Sequence, residues 1–342
     1  MRNTTPSARP LSVSQIRTFM HCGYAWRLIY EWRHLRALSA AAFYGRLVHQ
    51  VIRLAYHGLP MEAAHQTVWA SASGAVLPKL EQLIALDAEY AAISKPQTRA
   101  AQLWRERHPE YDALLRDVGA YQDAALGHLK WGEKASLAGF YRRAVALLDH
   151  EPDILLPNPI LVEGQAPGGV DLGDEADTAA PIDDLLTGYA SEDAGDEERD
   201  GGYTLLRGTI GGVAVVGVPD IVALHTDGAT IRVGDYKTGR PIARDEVAQD
   251  AQLAIYTQLL RENGCIAPDQ PVQVGHIYLT DSGPVQIWAD AGQHTQALRR
   301  IEAQIAHTAA LIEADLIIPR KGIASGFMSP CAFCDVAHVC DA

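Results

Sequence analysis

Apolar residues recur at helical spacing through the first part of the chain. Ser12 or Ser14 can cap a first helix, which carries Ile16, Phe19, Tyr24 and Leu28 at helical spacing. A second helix is predicted over 40–56. From 61 to 150 the pattern stays helical and is rich in Ala, Leu, Glu and Arg, with breaks at the prolines near 78, 96 and 109. This part of the chain is therefore predicted to be a series of helices.

Beyond Pro157 the pattern changes to one that is typical of β-strands. Strands are predicted over 160–163, 203–210, 213–224, 230–236, 272–280 and 285–289. Helices are predicted over 244–261 and 293–314. The stretch 164–202 is dominated by Asp, Glu, Gly and Ala, and we interpret it as a solvated, disordered loop. Strands mixed with helices indicate an α/β fold class.

Composition narrows the class of protein. The chain has 342 residues, 48% of them hydrophobic and 21% charged, which excludes a fibrous or globally disordered protein. No stretch approaches the roughly 18 apolar residues that a membrane-spanning helix needs, and the N-terminus lacks the apolar core of a signal peptide. Five cysteines without an export signal indicate a reducing, intracellular setting, where grouped Cys residues bind metal more often than they form disulfides.

Charge is distributed unevenly along the chain. The net charge of −13 argues at first against a partner made of phosphates, but 171–200 alone carries −11 and leaves only −2 for the rest. Residues 1–60 contain eight Arg against one Glu. Aromatic residues are interleaved with them, among them Trp26, Tyr30, Trp32 and Tyr44. One interpretation is a basic surface on which unpaired bases stack; the other is a helical core with a solvated basic face.

Two acidic residues interrupt the apolar strand patterns. Asp220 follows Pro219, and Asp235 begins the sequence Asp235-Tyr236-Lys237 after fourteen intervening residues. In adjacent antiparallel strands this spacing can bring both carboxylates to one point at the edge of the sheet. Two hard oxygen ligands suit Mg²⁺ or Mn²⁺. The ammonium of Lys237 faces the same side of the strand as Asp235, where it can hold an attacking water and offset transition-state charge.

Each motif taken singly also has an ordinary structural interpretation. A D-x-K sequence is compatible with a surface salt bridge at a strand end. A lone helical histidine such as His49 is more often packed in the core than bound to a ligand. Gln252 and Tyr256 lie four apart on one helical face, which is also typical of an exposed helix. The order in which the motifs occur carries more information than any one of them.

The ordered set resembles the PD-(D/E)xK nuclease superfamily, specifically its RecB-like branch. The motifs that carry the resemblance are G-x-x-x-H at 45–49, P-D at 219–220, D-Y-K-T-G at 235–239 and Q-x-x-x-Y at 252–256. The resemblance implies a restriction-endonuclease-like fold, in which a mixed central sheet is flanked by helices. Here it would carry a helical insertion and a C-terminal cysteine cluster.

The resemblance also implies roles for individual residues. The implied metal ligands are His49, Asp220, Asp235 and the carbonyl of Tyr236. The implied catalytic residues are Asp220, Asp235, Lys237, Gln252 and Tyr256, with Gln252 and Tyr256 contacting DNA or orienting the site. Glu163 resembles an acidic strand position ahead of the core motifs, and a surface charge at a strand end is its alternative interpretation.

The cysteines form a second constellation. Cys331, Cys334 and Cys340 lie in the C-terminal tail as C-x₂-C-x₅-C, and Cys22 lies near the other end of the chain. Four thiolates suit an iron–sulfur cluster or a zinc ion, and their spacing does not separate the two. The resemblance to iron–sulfur nucleases of the AddB and CRISPR-associated kind implies a structural [4Fe–4S] cluster. Cys265 is left over, and we expect it to be a half-buried, unreactive thiol.

The expected organisation follows from the same resemblance. Residues 1–60 are N-terminal helices with the first cluster cysteine and the motif histidine, and 61–150 are the helical insertion. Residues 151–325 are the nuclease core with its acidic loop, and 326–342 are the cluster tail.

The implied function is a metal-dependent exonuclease acting on single-stranded or end-exposed DNA. Its implied cofactors are Mg²⁺ or Mn²⁺ and the [4Fe–4S] cluster. Its implied setting is DNA repair, recombination or CRISPR-like processing. The expected location is the cytoplasm, in association with the nucleoid, and no membrane partner is expected. Endonuclease activity and an oligomeric state stay open. One alternative is a DNA-binding scaffold subunit of a helicase or integrase complex with marginal cleavage. A zinc-stapled nuclease is the other.

Overall fold

The computed structural model describes residues 10–32, 39–93, 98–127, 129, 131, 135–167, 205–291, 294–317 and 340, and for 294–297 it describes the backbone alone. The first part contains one short strand and most of the described helices. These elements are β1 (Leu11–Ser12), α1 (Val13–His21), α2 (Gly23–Trp26), a π-helical turn (Arg27–Glu31), α3 (Ala40–Tyr56), α4 (Met61–Ser73), a 3₁₀ turn (Gly74–Val76), α5 (Leu77–Ala91), α6 (Arg99–Arg107), α7 (Glu110–Leu126), α8 (Leu137–Leu148) and α9 (Glu151–Ile154).

The second part contains most of the strands. Its elements are β2 (Pro159–Val162), β3 (Leu206–Ile210), β4 (Val213–Gly217), β5 (Ile221–Leu224), β6 (Ile231–Lys237), α10 (Arg244–Val247), α11 (Ala251–Glu262), β7 (Val272–Thr280), β8 (Gly283–Asp290) and α12 (His294–Glu313). Most of the predicted loop 164–202 and the tail 326–339 lie outside the described residues. The division of the chain into four parts stays a prediction.

The strands form two sheets. One has three strands in the order β1-β4-β3, and the other has five in the order β2-β5-β6-β7-β8. In the larger sheet β6 and β7 are parallel, whereas the other neighbouring pairs are antiparallel. The predicted mixed central sheet flanked by helices is therefore confirmed.

Helices cover both faces of the larger sheet. Ile221 and Ala223 of β5 pack into an apolar cluster with α3, α4, α5, α7 and α8. Val222, between them in sequence, packs into a second cluster with α1 and α11. Successive side chains of a strand point to opposite faces, so this continuous apolar run is what a strand buried on both faces requires.

Three predicted elements are divided in the structure. The first helix, predicted to carry Ile16 and Leu28, is α1, α2 and a π-helical turn, because the backbone is extended at Cys22. The strand predicted over 213–224 is β4 and β5, which belong to different sheets. Pro219 lies between them, and proline has no N–H to donate to a strand ladder. The helix predicted over 244–261 is α10 and α11, because the Asp250 side chain accepts from the N–H groups of Gln252 and Leu253 and so begins a new helix. At Pro219 and at Asp250 the break leaves an acidic residue directly before an element: Asp220 precedes β5, and Asp250 precedes α11.

Gly275 in β7 is required by close packing. It lies opposite Trp288 of β8 in the ladder, and a Cβ added to it would overlap the indole ring and approach the carbonyl oxygen of Ile287 to 2.7 Å. We expect Gly275→Ala to lower the free energy of unfolding by about 1–3 kcal/mol, because the ring and the neighbouring strand must move. Denaturant titration measures this.

Gly119 provides the matched control for that substitution. It lies within α7, and nothing is within 4 Å of a Cβ built on it. Gly119→Ala is expected to raise the free energy of unfolding by up to about 1 kcal/mol, because alanine is the better helix former. Equal stability of Gly275→Ala and the wild type would contradict the packing explanation.

His65 of α4 is a buried imidazole inside the helical cluster. Its ring lies 5.3 Å from that of Tyr141 and 6.0 Å from that of Trp69, and burial lowers its pKa from 6.5 to about 4. The unfolded chain therefore binds a proton at a higher pH than the folded chain. Stability is present above pH 6.5 and is lost as the pH falls toward 4, by at most about 1.4 kcal/mol per pH unit.

We expect His65→Leu to remove this acid sensitivity. Its free energy of unfolding, relative to the wild type, should rise steadily between pH 6.5 and 4 in denaturant titrations. His307→Gln, which alters an exposed histidine of α12, should run parallel to the wild type over the same range. A wild-type profile identical to that of His65→Leu would show that His65 is charged in the folded protein.

None of the helices in the described ranges is long and apolar enough to cross a membrane.

Candidate active site

The two acidic motif residues meet where β5 and β6 pair. The strands are antiparallel, with Ile221 opposite Gly234, so the residue before Ile221 lies beside the residue after Gly234. The backbone N–H of Tyr236 donates to Asp220 Oδ2 at 2.9 Å. The structure therefore brings Asp220 and Asp235 together, as their spacing predicts.

Lys237 lies on the same side of β6 as Asp235. Its Nζ contacts Asp235 Oδ2 as an ion pair. Asp235 is 2% exposed, whereas the Lys237 side chain is 30% exposed. The carboxylate is therefore fixed inside the protein, and the ammonium lies at the boundary with solvent.

Gln252 and Tyr256 approach the same carboxylate from α11. The Gln252 side chain donates from Nε2 to Asp235 Oδ1 at 2.9 Å and to the Tyr256 hydroxyl at 3.1 Å. Their four-residue spacing on one helical face predicts this contact. Both oxygens of Asp235 thus have a neighbour, Gln252 on one side and Lys237 on the other.

His49 reaches the site from α3, on the opposite face of the sheet. Its Nδ1 lies 3.7 Å from Asp220 Oδ2 and 3.7 Å from Glu163 Oε1, and its Nε2 lies 3.1 Å from the Tyr236 carbonyl oxygen. Because side chains alternate along β6, Tyr236 points its ring into the helical cluster and leaves its carbonyl beside the histidine. The four predicted metal-binding residues therefore lie together.

Glu163 lies immediately after β2, at a sharp change in chain direction. It has a positive φ of 44°, and its N–H donates to the Asp220 carbonyl at 2.9 Å. Its carboxylate faces His49 and also Arg53, whose Nε is 3.7 Å from Oε2. A strained backbone in a non-glycine residue is common at functional sites. Of the two interpretations made from the sequence, this geometry favours the acidic site position over the surface charge.

Burial and crowding shift the ionisation of the acidic group. Burial, reinforced by the nearby Asp235 carboxylate, raises the pKa of Asp220 to about 7. Burial alone lowers the pKa of His49, but the negative charges of Asp220 and Glu163 outweigh it and raise that pKa to about 9. Near pH 7 an imidazolium therefore offsets part of the negative charge of the acidic residues around it.

The donor atoms fit a divalent cation. Carboxylate oxygens, a backbone carbonyl and an imidazole are ligands of Mg²⁺ or Mn²⁺, and the nearby Asp235 carboxylate adds to the burial that raises the pKa of Asp220. Within the described ranges, however, no group of three or more His, Cys, Asp and Glu side chains already has metal-binding geometry. His49 would bind a cation only as the neutral imidazole, so the proton it holds near pH 7 would have to be released.

Two polar residues near the site, His276 and Asp250, do not belong to any of the sequence motifs. His276 of β7 is paired in register with Asp235, its Nδ1 is 3.0 Å from the Tyr278 hydroxyl, and its Nε2 is 3.5 Å from Asp250 Oδ2. An Asp two residues before the Gln of Q-x-x-x-Y is a helix-capping signal that the sequence offers. His276 has no comparable local signal, because only the β6–β7 pairing brings it near Asp235.

Of the four predicted cluster cysteines, the structure describes two. Cys22 and Cys340 both pack against one apolar cluster that includes Phe19 and Trp26. Cys331 and Cys334 lie outside the described residues. The expectation that Cys265 is half-buried is wrong, since its thiol is exposed in the turn after α11.

The aromatic residues of 1–60 are mostly core. Trp26, Tyr30 and Tyr44 are buried, and Tyr44 stacks on Phe140 at 4.9 Å. Trp32 is 51% exposed and touches solvent beside the N-terminal helices. For three of the four rings the helical-core interpretation is therefore correct.

Comparison with known proteins identifies the family. A family model described as the PD-(D/E)XK nuclease superfamily matches residues 10–341. A search of curated proteins found no match. Among solved structures, one described as the crystal structure of SSO0001 is 18% identical and aligns over 40% of this chain and 57% of its own, with a TM-score of 0.23; a likeness of that size carries no weight. Because the family match runs through nearly the whole sequence, the chain belongs to the PD-(D/E)XK nuclease superfamily, whose members are nucleases.

Proposed function

We propose that the chain is a metal-dependent deoxyribonuclease of the RecB-like branch, acting as an exonuclease on single-stranded or end-exposed DNA. The observation that supports this most is the meeting of Asp220, Asp235 and Lys237 at the ends of two paired strands, with His49 facing them from α3. A carboxylate pair beside one ammonium is suited to phosphodiester hydrolysis.

The proposed ligands of Mg²⁺ or Mn²⁺ are Asp220, Asp235, His49 and the Tyr236 carbonyl. When bound, the cation would polarise the scissile phosphate and make a water more acidic. His49 would serve as a neutral ligand, so its proton must leave first. The buried position of Asp235 and its bond from Gln252 keep one carboxylate oriented throughout.

Lys237 is proposed to position the attacking water. Its ammonium, held by the Asp235 carboxylate, can donate to the water and offset negative charge that develops on the phosphate oxygens. The partial exposure of the side chain leaves it accessible to substrate. Gln252 and Tyr256 complete the orientation of Asp235 from the α11 side.

The proposal includes a [4Fe–4S] cluster held by Cys22, Cys331, Cys334 and Cys340. It is supported by the packing of Cys22 and Cys340, from opposite ends of the chain, against one apolar cluster. Such a cluster would join the chain ends and stabilise the fold without taking part in cleavage. Brown protein that absorbs broadly near ~400 nm would support it, and colourless protein containing zinc would refute it.

The proposed setting is intracellular DNA metabolism: repair, recombination or CRISPR-like processing. In this proposal 151–325 form the nuclease core, and 61–150 are an insertion of unassigned role. A scaffold subunit of a helicase or integrase complex is the competing function. It predicts DNA binding with at most marginal metal-dependent cleavage, so one assay separates the two.

That assay follows labelled single-stranded DNA with the purified protein and Mn²⁺. Three substrates, with free ends, a blocked 5′ end or a blocked 3′ end, report activity and polarity together. We expect stepwise shortening that a chelator abolishes and that one of the two blocks prevents. Binding without cleavage in Mn²⁺ and Mg²⁺ would contradict the proposed nuclease, and cleavage of circular single strands would contradict exonuclease action.

A further inference from the structure

Two pairs of residues with the same helical spacing face each other beside the site. Val13 and Arg17 are four apart on α1, and Gln252 and Tyr256 are four apart on α11. Gly217, at the end of β4, lies where Val13 of α1 and Tyr256 of α11 meet: a Cβ on it would be 2.8 Å from Tyr256 Cε1 and 3.2 Å from Val13 Cγ2. One turn later than Val13 on α1 and one turn earlier than Tyr256 on α11, Arg17 and Gln252 are the next residues that can meet.

The contact that this alignment produces is a short hydrogen bond. Arg17 Nη1 donates to Gln252 Oε1 at 2.6 Å. On the other side of the same carboxamide, Nε2 donates to Asp235 Oδ1 and to the Tyr256 hydroxyl. A guanidinium requires the oxygen of the amide, and a carboxylate requires its NH₂ group. Arg17 and Asp235 therefore select the same orientation of Gln252, and a flipped amide would be repelled at both ends.

The helix that carries Arg17 is fixed independently of the metal-binding residues. β1 pairs in parallel with β4, with Leu11 opposite Val215, and the Ser12 side chain caps α1 by accepting from the N–H of Gln15 at 3.2 Å. Val13 and Ile16 are each 1% exposed. Arg17 is therefore an exposed residue of a capped helix whose other face is buried, next to the strand that leads to Asp220.

We infer that Arg17 is a positioning residue of the active site, which acts through Gln252 to orient the carboxylate of Asp235. An effect of Arg17 on the rate of cleavage rests on the proposed function. An effect of Arg17 on the orientation of the Asp235 carboxylate rests on the hydrogen bonds alone. A charge-assisted bond of this kind is stronger than one between neutral groups. Direct binding of a DNA phosphate by Arg17 is a different role with different kinetics.

A double-mutant cycle separates the two roles. We expect Arg17→Ala to lower kcat roughly tenfold with KM within about twofold of the wild type, as loss of one charge-assisted hydrogen bond implies. Gln252→Ala should have at least as large an effect, and Arg17→Ala should add nothing further in that background. Arg17→Lys, which keeps a donor and the charge, should recover part of the loss. Arg261→Ala, an exposed arginine at the end of α11, is the matched control and should behave as wild type.

Mn²⁺ affinity, followed by electron paramagnetic resonance of the free ion, gives a second readout that needs no cleavage. Arg17→Ala and Gln252→Ala should each weaken Mn²⁺ binding about tenfold, and the double variant no further. Independent, multiplying effects on kcat or on Mn²⁺ affinity, or a raised KM with unchanged kcat, would overturn the inference. A wild type that binds Mn²⁺ but does not cleave DNA would contradict the proposed function only, and the Mn²⁺ cycle would then decide the role of Arg17.

Discussion

Asp220→Asn is expected to abolish cleavage and at the same time to stabilise the cation-free protein at pH 8. The rate should fall about 10³-fold or more, because a ligand of the cation that offsets transition-state charge is worth several kcal/mol. The stability effect has a separate cause. The folded-state pKa of Asp220, raised by burial and by Asp235 to about 7, exceeds the ordinary value of 3.8, so its ionised form opposes folding above pH 7.

The difference in stability between Asp220→Asn and the wild type depends on pH. Below pH 3.8 Asp220 is protonated in both states, and Asn and Asp should be equally stable. Between pH 4 and 7 the unfolded carboxyl ionises while the folded one does not, so the advantage of Asn should grow and then level off. The Asn side chain keeps an oxygen that can accept from the Tyr236 N–H, as Asp220 Oδ2 does at 2.9 Å.

Melting temperatures across pH, with and without Mn²⁺, measure both effects. Mn²⁺ should raise the melting temperature of the wild type and not that of Asp220→Asn, since a ligand stabilises only the form that binds it. Asp269→Asn, which removes an exposed acid after α11, should match the wild type in activity and in both titrations. Cleavage by Asp220→Asn at the wild-type rate would show that Asp220 is not a catalytic residue.

The parts of the site that could be predicted from the sequence rest on short-range geometry. Asp235 and Lys237 share a side because side chains alternate in strands, and Gln252 and Tyr256 share a side because they are one helical turn apart. Asp220 meets Asp235 because a short hairpin-like connection leaves little choice of register. Each of these relations spans fewer than about 20 residues, within which local periodicity determines the geometry.

The parts that could not be predicted depend on how distant segments pack. Arg17 lies 235 positions from Gln252, and it arrives there only because β1 pairs with β4. His276 reaches the neighbourhood of Asp235 through the parallel β6–β7 pairing. Periodicity along one segment carries no information on either pairing, so the sequence interpretation found the residues of the motifs and missed the residues that orient them.

The wrong expectations have a physical reason of the same kind. Treating 213–224 as one strand ignored that Pro219 cannot donate to a ladder, and the break it causes is what places Asp220 before β5 rather than within a strand. The expectation that Cys265 is half-buried did not take account of the turn in which it lies. The tight turn after α11 buries Ile266 and turns the thiol to solvent.

Lys237→Met is expected to separate cation binding from catalysis. The methionine keeps most of the apolar stem but loses the ammonium that contacts Asp235. We expect kcat to fall roughly 10²–10³-fold, the loss seen when one group that stabilises transition-state charge is removed. KM and the Mn²⁺-dependent rise in melting temperature should persist, because Asp220, Asp235 and His49 are unchanged.

Lys79→Met is the matched control for the loss of a lysine. Lys79 forms an exposed ion pair with Asp117 on the helical part, with a side chain 47% exposed, and such pairs contribute about 0–1 kcal/mol. Its variant should cleave DNA at the wild-type rate. If Lys237→Met also loses the Mn²⁺-dependent stabilisation, the ammonium is needed to shape the carboxylate site and not only to position the water. A wild-type kcat in Lys237→Met would show that another group positions the water. Gln252 is the other side chain bonded to Asp235, so a substitution of Gln252 would then be tested.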